Sequence, residues 1–146
     1  MSYLEVVLDS LYSLIRATLG PYLQYAHVRL SSVERKNAPE LVLPAHSERS
    51  QLDISSLASE PKARELIMLL ATYPDVVQAA LKSLEPSTIC TFAFRLCHAI
   101  SSAWEVLIVR GQERDVALAR LWLYVCAKDV LGNAMRLLTL EPLERM

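Results

Sequence analysis

The chain has 146 residues, of which 53% are hydrophobic, so it can form one domain with a core that needs no disulfide or metal. Its net charge of −1 differs from the strongly basic character of most free-standing nucleic-acid binders, so any affinity for RNA must come from a local patch. Three cysteines without paired spacing argue against a disulfide scaffold. The scarcity of glycine, with three in the chain, favours helices over a turn-rich β fold.

The first stretch, residues 2–19, predicts an amphipathic helix that ends at Gly20, a residue type common just past a helix end. Its apolar residues recur at helical intervals: Leu4, Val7, Leu8, Leu11, Leu14 and Ile15. We therefore divide the chain into a helical lead-in, residues 1–19, and a main domain, residues 20–146. The stretch lacks the charge pattern of a secretory signal or a mitochondrial presequence, and the chain has no apolar run of membrane-spanning length. These features predict a cytoplasmic protein without a membrane partner.

A second helix is predicted from Pro21, which suits a first helical position because its missing N–H is not needed there. One stripe of this helix is apolar and expected to face the core: Leu23, Ala26, Leu30 and Val33. The neighbouring stripe carries groups that can stack on flat rings and bond to polar edges: Tyr22, Tyr25, Arg29 and Ser32. On spacing alone, an alternative remains in which both tyrosines are half-buried core residues.

The rest of the chain predicts further helices. A polar segment, residues 37–51, indicates a surface loop. Helices are expected from Pro61, after Pro74 to about Ser83, and from about Ser87 to about Val109, where Gly111 breaks the pattern. The helix from Ser87 is expected to bury one stripe: Ile89, Ala93, Leu96, Ile100, Ala103 and Leu107. The last helix begins near Asp115 and is apolar over a wide arc, so it is expected to lie centrally. The sequence thus predicts an all-α bundle of five or six helices.

The decapeptide at residues 20–29, Gly-Pro-Tyr-Leu-Gln-Tyr-Ala-His-Val-Arg, resembles the helix that opens the C-terminal, DALR-type anticodon-binding domain of arginyl-tRNA synthetase. The likeness returns in residues 63–80, 84–109 and 116–146, and the chain stops at a similar Glu-Arg-Met. The resemblance implies the helical fold of class Ia synthetase anticodon-binding domains. It also implies a role in ATP-dependent arginylation, with the tRNA(Arg) anticodon loop and a synthetase catalytic domain as partners, and not DNA.

Carried over from that family, the residues expected to contact the anticodon loop are Tyr22, Tyr25, Arg29, Trp104 and Met146. Proteins read unstacked RNA bases by stacking aromatic or guanidinium planes on them and by bonding to their edges. Trp104 stands where the family usually has tyrosine; it keeps a stacking face but lacks the phenol oxygen. An alternative for Trp104 is an ordinary core position.

Catalytic motifs are absent from this sequence. Neither the His-Ile-Gly-His-like nor the Lys-Met-Ser-Lys-Ser-like signature of class I synthetases occurs, and no glycine-rich loop could cradle phosphates. The three histidines lack metal-ligand spacing. We expect no catalytic residue, no metal and no cofactor in this chain, ATP being needed only by a full-length synthetase, and no arginylation by the chain alone. The rival hypothesis is a helical protein-interaction module, derived from such a domain, that no longer binds RNA. The near-neutral charge favours it, as does the unusual Arg-Ala-Thr-Leu lead-in before Gly20.

Overall fold

The computed structural model describes the backbone of residues 3–146 and the side chains of residues 13, 17 and 19–146. This part of the chain forms six α-helices and a short 3₁₀ helix, and it contains no strand. The helices are α1 (Tyr3–Asn37), α2 (Ser55–Ser59), α3 (Pro61–Ala71), α4 (Tyr73–Ser83), α5 (Ser87–Trp104) and α6 (Arg114–Leu137), with the 3₁₀ helix at His46–Gln51. The predicted all-α fold is confirmed. Among the residues described, no helix combines the length and the apolar content that crossing a bilayer requires.

Helix α6 lies at the centre of the bundle, as its wide apolar arc predicts. It packs against α1, α2, α3 and α5. Its buried residues are spread over this arc and include Leu118, Ala119, Leu121, Leu123, Val125, Ala127 and Ala134. A helix that buries two adjoining faces fixes the positions of the helices around it, and here α1 and α5 are the two that carry the candidate site.

Helix α1 runs without a break through Gly20 and Pro21, so the prediction that a helix ends at Gly20 is wrong. At 35 residues the helix is about 52 Å long. The apolar spacing continues in phase across this point, since Leu19 and Leu23 are four residues apart. The helix accommodates Pro21 in its interior. Burial of the stripe that begins at Leu23 stabilises the helix by more than the loss of the single hydrogen bond that a proline removes.

Helix α5 ends at Trp104, five residues earlier than the predicted end at Val109. The buried stripe of α5 is otherwise as predicted, and Leu107 is buried too, but from a non-helical segment. After Trp104 the chain alternates between exposed Val106 and Ile108 and buried Leu107 and Val109. This run is rich in β-branched residues, which lower helix propensity and favour extended backbone. The segment of residues 105–113 therefore forms an irregular turn, in which Gly111 has a positive φ of 78°.

The predicted loop between α1 and α2 is confirmed for most of its length. It begins with a cis peptide bond before Pro39 and holds only the short 3₁₀ helix as regular structure. Arg49 Nε donates a hydrogen bond to the Pro44 carbonyl oxygen over 3.2 Å and ties the loop to itself.

Candidate nucleic-acid interface

A stack of three side chains joins α1 to the end of α5. The Arg29 guanidinium carbon lies 4.4 Å from the centroid of the Trp104 ring and 5.8 Å from that of the Tyr25 ring. Tyr25 is 57% exposed, whereas Arg29 and Trp104 are half-buried. Three of the five predicted contact residues thus meet in one cluster, which we call the Arg29 stack (Tyr25, Arg29 and Trp104). It leaves a phenol ring and guanidinium edges accessible to a ligand.

Trp104 also contacts Tyr124 of α6. Their ring centroids are 5.3 Å apart at an interplanar angle of 56°. Tyr124 is 2% exposed, and its hydroxyl donates to the Leu107 carbonyl oxygen over 3.0 Å. Burial raises the pKa of Tyr124, so its hydroxyl remains a protonated donor at any physiological pH. Trp104 therefore contacts both a buried tyrosine and an arginine, and the guanidinium lies over its ring.

The turn of residues 105–113 is fixed by a second arginine, Arg120 of α6. Its Nη1 donates to the Ile108 carbonyl oxygen over 2.7 Å, and its Nη2 lies 3.6 Å from Glu60 Oε1. Side chains from α6 thus satisfy two successive carbonyl groups of the turn, since Tyr124 bonds the preceding carbonyl. The turn forms one wall of a cleft beside Trp104.

Tyr22 lies apart from the Arg29 stack. Its ring stacks on Phe94 of α5, with centroids 5.6 Å apart and planes 22° from parallel. Tyr22 is 42% exposed and lines a separate surface groove of about 890 Å³ with Phe94, Arg95 and His98. One face of this ring is therefore occupied by protein, although the residue is one turn from Tyr25.

Met146, the fifth predicted contact residue, is 77% exposed at the end of a tail that returns along α1. The tail begins beside Gly20, where a Cβ atom would lie 3.8 Å from Leu140 Cδ2, and it proceeds in the same direction as the helix. Gln24 Nε2 donates to the Glu141 carbonyl oxygen over 2.7 Å, and the Leu143 N–H donates to Gln24 Oε1 over 2.8 Å. The chain end is thereby carried towards the part of α1 that holds the Arg29 stack.

Three further residues line a cleft of about 220 Å³ next to Trp104: Ser32, Lys36 and Arg110. Lys36 lies seven residues after Arg29, hence on the same helix face, and this spacing could have identified it from the sequence. Arg110 could not have been identified in this way, because the irregular turn brings it to the cleft. Two cations beside Arg29 give a local positive patch on a chain whose net charge is −1.

The cysteines have little nucleophilic character. Burial raises the pKa of Cys97 to about 12, and burial also raises the pKa values of Cys90 and Cys126. No disulfide joins the three thiols. Within the part of the chain that the structure describes, no three His, Cys, Asp or Glu side chains are grouped so that they could hold a metal ion.

The sequence profile of the DALR anticodon binding domain matches residues 23–146. The chain belongs to the family of DALR anticodon-binding domains. This DALR domain is 50% identical over 129 residues to the probable cytoplasmic arginine–tRNA ligase of Schizosaccharomyces pombe. It is 51% identical over 127 residues to the cytoplasmic arginine–tRNA ligase of Saccharomyces cerevisiae, and 43% identical over 128 residues to the mitochondrial one.

Each of these matches covers 87% of this chain and 19–20% of the relative. The chain thus spans about one fifth of the length of the curated relatives that it matches. The profile match begins inside α1, at residue 23, and the predicted boundary between residues 19 and 20 stays a prediction. The cytoplasmic location also stays a prediction, since the relatives include cytoplasmic and mitochondrial enzymes.

Proposed function

We propose that this domain binds the anticodon loop of tRNA(Arg) through the Arg29 stack and the basic cleft beside it. The observation that carries the proposal is the geometry of the stack: Arg29 lies 4.4 Å over Trp104, while Tyr25 is more than half exposed. Anticodon loops present unstacked bases, and an exposed phenol ring can stack on such a base for ~1–3 kcal/mol. Membership of the DALR anticodon-binding family supports the same ligand.

The three cations near Trp104 are expected to complement the loop phosphates. Lys36 and Arg110 line the cleft beside Trp104, and the Arg29 guanidinium lies over the Trp104 ring. A phosphate contact releases bound counterions, so each contact adds to the salt dependence of binding. The local patch therefore supplies the positive charge for phosphate contacts that the net charge of the chain does not provide.

In a full-length arginyl-tRNA synthetase, a domain of this kind would hold tRNA(Arg) while a catalytic domain carries out ATP-dependent arginylation. The relatives named above are arginine–tRNA ligases and are about five times longer than the matched segment. The proposal assigns this chain the recognition step and assigns the chemistry to a catalytic domain, with ATP required there alone.

Binding of a tRNA(Arg) anticodon stem–loop, followed by fluorescence anisotropy, tests the proposal. We expect Tyr25→Ala to weaken binding by ~1–3 kcal/mol, because one base stack is lost. Tyr25→Phe should cost less, since stacking survives and only the hydroxyl is removed. Tyr22→Ala is the matched control: it removes the same side chain one turn away, but from a ring already covered by Phe94, so its effect on affinity should be smaller.

Two measurements decide against this function. Equal affinity for the same stem with a loop of uridines would show that the loop sequence is not read. An unchanged affinity in Tyr25→Ala, at an unchanged melting temperature, would remove Tyr25 from the interface. If the parent chain binds neither RNA, the proposal is overturned in favour of a helical protein-interaction module.

A further inference from the structure

The last residues of the chain are held on α1 by side chains that bond to the main chain of the tail. The Gln24 amide bonds to both the Glu141 carbonyl oxygen and the Leu143 N–H, over 2.7 and 2.8 Å. The Glu141 carbonyl and the Leu143 N–H belong to residues two positions apart. The main-chain groups that a neighbouring β-strand would bond have the same spacing. One side-chain amide therefore replaces a strand partner for the tail.

His27 completes this arrangement from inside the bundle. It is 3% exposed, and its Nδ1 lies 2.8 Å from the Leu143 carbonyl oxygen. A carbonyl oxygen can only accept a hydrogen bond, so Nδ1 carries the proton. The other side of the ring faces Gly132 of α6, where a Cβ atom would come within 3.3 Å of Nε2. The absence of a side chain at Gly132 gives the ring its place between α6 and the tail.

A third side chain of the same helix face extends the contact. Arg35 Nη1 donates to the Glu144 carbonyl oxygen over 3.3 Å. Every tail atom in these four hydrogen bonds belongs to the main chain, so docking fixes where the tail lies and does not engage the side chains of Arg145 and Met146. Both are exposed. Gln24 and Tyr25 are consecutive, so the face that holds the tail and the face that holds the Arg29 stack are about 100° apart on α1.

We propose that Gln24 and His27 are positioning residues for RNA binding: they hold residues 141–144 by the main chain and so place Arg145 and Met146 at the edge of the Arg29 stack. This inference rests on the proposed function. A tail that is already ordered loses less conformational freedom when a ligand binds, so docking in the free protein favours the complex. Gln24 thus acts on the ligand through the tail and not by touching it.

The experiment combines hydrogen exchange of the C-terminal peptide with RNA affinity in the full-length chain. Gln24→Ala should raise exchange at residues 141–144 and weaken binding of the anticodon stem–loop about two- to tenfold, the range for losing one or two modest hydrogen bonds. Gln24→Glu keeps the acceptor for Leu143 and loses the donor for Glu141, so its effects should be smaller. Gln78→Ala, at an exposed position on α4, is the matched control and should change neither measurement.

A variant of the chain tip separates positioning from direct contact. In the Arg145→Ala/Met146→Ala background, Gln24→Ala should raise exchange as before but leave RNA affinity unchanged, because the groups it positions are gone. Gly132→Ala should also raise exchange near Leu143 by displacing the His27 ring, although alanine favours the helix.

Three results would overturn the inference. Exchange in Gln24→Ala equal to that in Gln78→Ala would show that Gln24 does not hold the tail. An equal loss of affinity with and without the tip residues would mean that Gln24 acts by another route. Raised exchange with unchanged RNA affinity would remove the tail from the interface. Failure of the parent chain to bind RNA would overturn the proposed function and the RNA half of this inference, while exchange would still decide whether Gln24 docks the tail.

Discussion

Arg29 combines charge with a fixed orientation. A guanidinium over an aromatic face is attracted by the ring quadrupole and still has its N–H groups free at the edge. Trp104 also packs against Tyr124, which is itself tied to Leu107. The free protein therefore already holds the cation in position, which lowers the entropic cost of engaging RNA.

The contributions of charge and orientation at Arg29 can be separated by two substitutions. We expect Arg29→Lys to weaken RNA binding by about 1 kcal/mol, since an ammonium cannot stack as a plane, while the salt dependence of binding is retained. Arg29→Ala should weaken binding further and lower the slope of log affinity against log salt by ~1. Titrations at several salt concentrations measure both quantities.

A lysine variant that binds as tightly as the parent would show that stacking at Trp104 is irrelevant to the interface. Melting temperatures of both variants serve as the control, because Arg29 is half-buried.

Among the helices, those with a long apolar period were predictable from the sequence, and two of their ends were not. The predicted helix end at Gly20 relied on Gly-Pro as a local helix-breaking signal, although Leu19 and Leu23 continue the apolar period across it. The predicted end of α5 at Val109 relied on Leu107 fitting the helical stripe. Leu107 is buried although it lies in the irregular turn after α5. Its burial therefore did not distinguish a helical backbone from a non-helical one.

The candidate site was predictable only where it lies on one helix. Tyr25 and Arg29 are four residues apart on α1, so their contact follows from helical geometry. Trp104 entered through the family resemblance, and its contact with Arg29 depends on where α5 ends. Neither helical geometry nor the family resemblance identifies Arg110, because the irregular turn of residues 105–113 positions it. The docking of the tail likewise involves residues more than one hundred positions apart along the chain.

Helix α6 offers a matched pair of leucines for testing the core. Leu131 is fully buried, whereas Leu137 in the same helix is 51% exposed. We expect Leu131→Ala to reduce the free energy of unfolding by about 2–5 kcal/mol, because it leaves a cavity between packed helices. Leu137→Ala should cost less than about 1 kcal/mol, since little packing is lost there. Denaturant titrations measure both.

Equal losses in the two variants would contradict the central position of α6. The two variants share the helix, the residue type and the substitution. Alanine has a higher helix propensity than leucine, so propensity cannot account for a larger loss at Leu131.

On the scale of the whole molecule, the two ends of the described fold are joined along α1. Helix α6 runs antiparallel to α1, with Lys128 Nζ 2.6 Å from Glu34 Oε2 near one end and Gly132 beside His27 further along. The tail then turns back and follows α1 in the opposite sense to α6. One helix therefore positions the central core helix, the Arg29 stack and the chain end on three of its faces.

This arrangement makes tail docking dependent on pH through Glu144. The Ser31 hydroxyl lowers the pKa of the Glu144 carboxyl below its ordinary value of 4.5, and Lys128, His27 and Arg35 add to the effect, while burial opposes it. Because the pKa is lower in the docked state, the ionised carboxylate stabilises docking. Its contribution is fully present above the ordinary pKa and is lost as the pH falls through the docked-state value.

We therefore expect the Leu143 amide resonance to shift towards that of a free chain as the pH is lowered from about 6 to about 3, within the range where carboxylates titrate. Glu144→Gln should shift the same resonance already at neutral pH and flatten its dependence on pH over that range. Far-UV circular dichroism at each pH separates tail release from acid unfolding of the helices. Identical pH profiles for the parent and Glu144→Gln would show that another group controls the tail, and the ionised Glu144 would then contribute nothing to its docking.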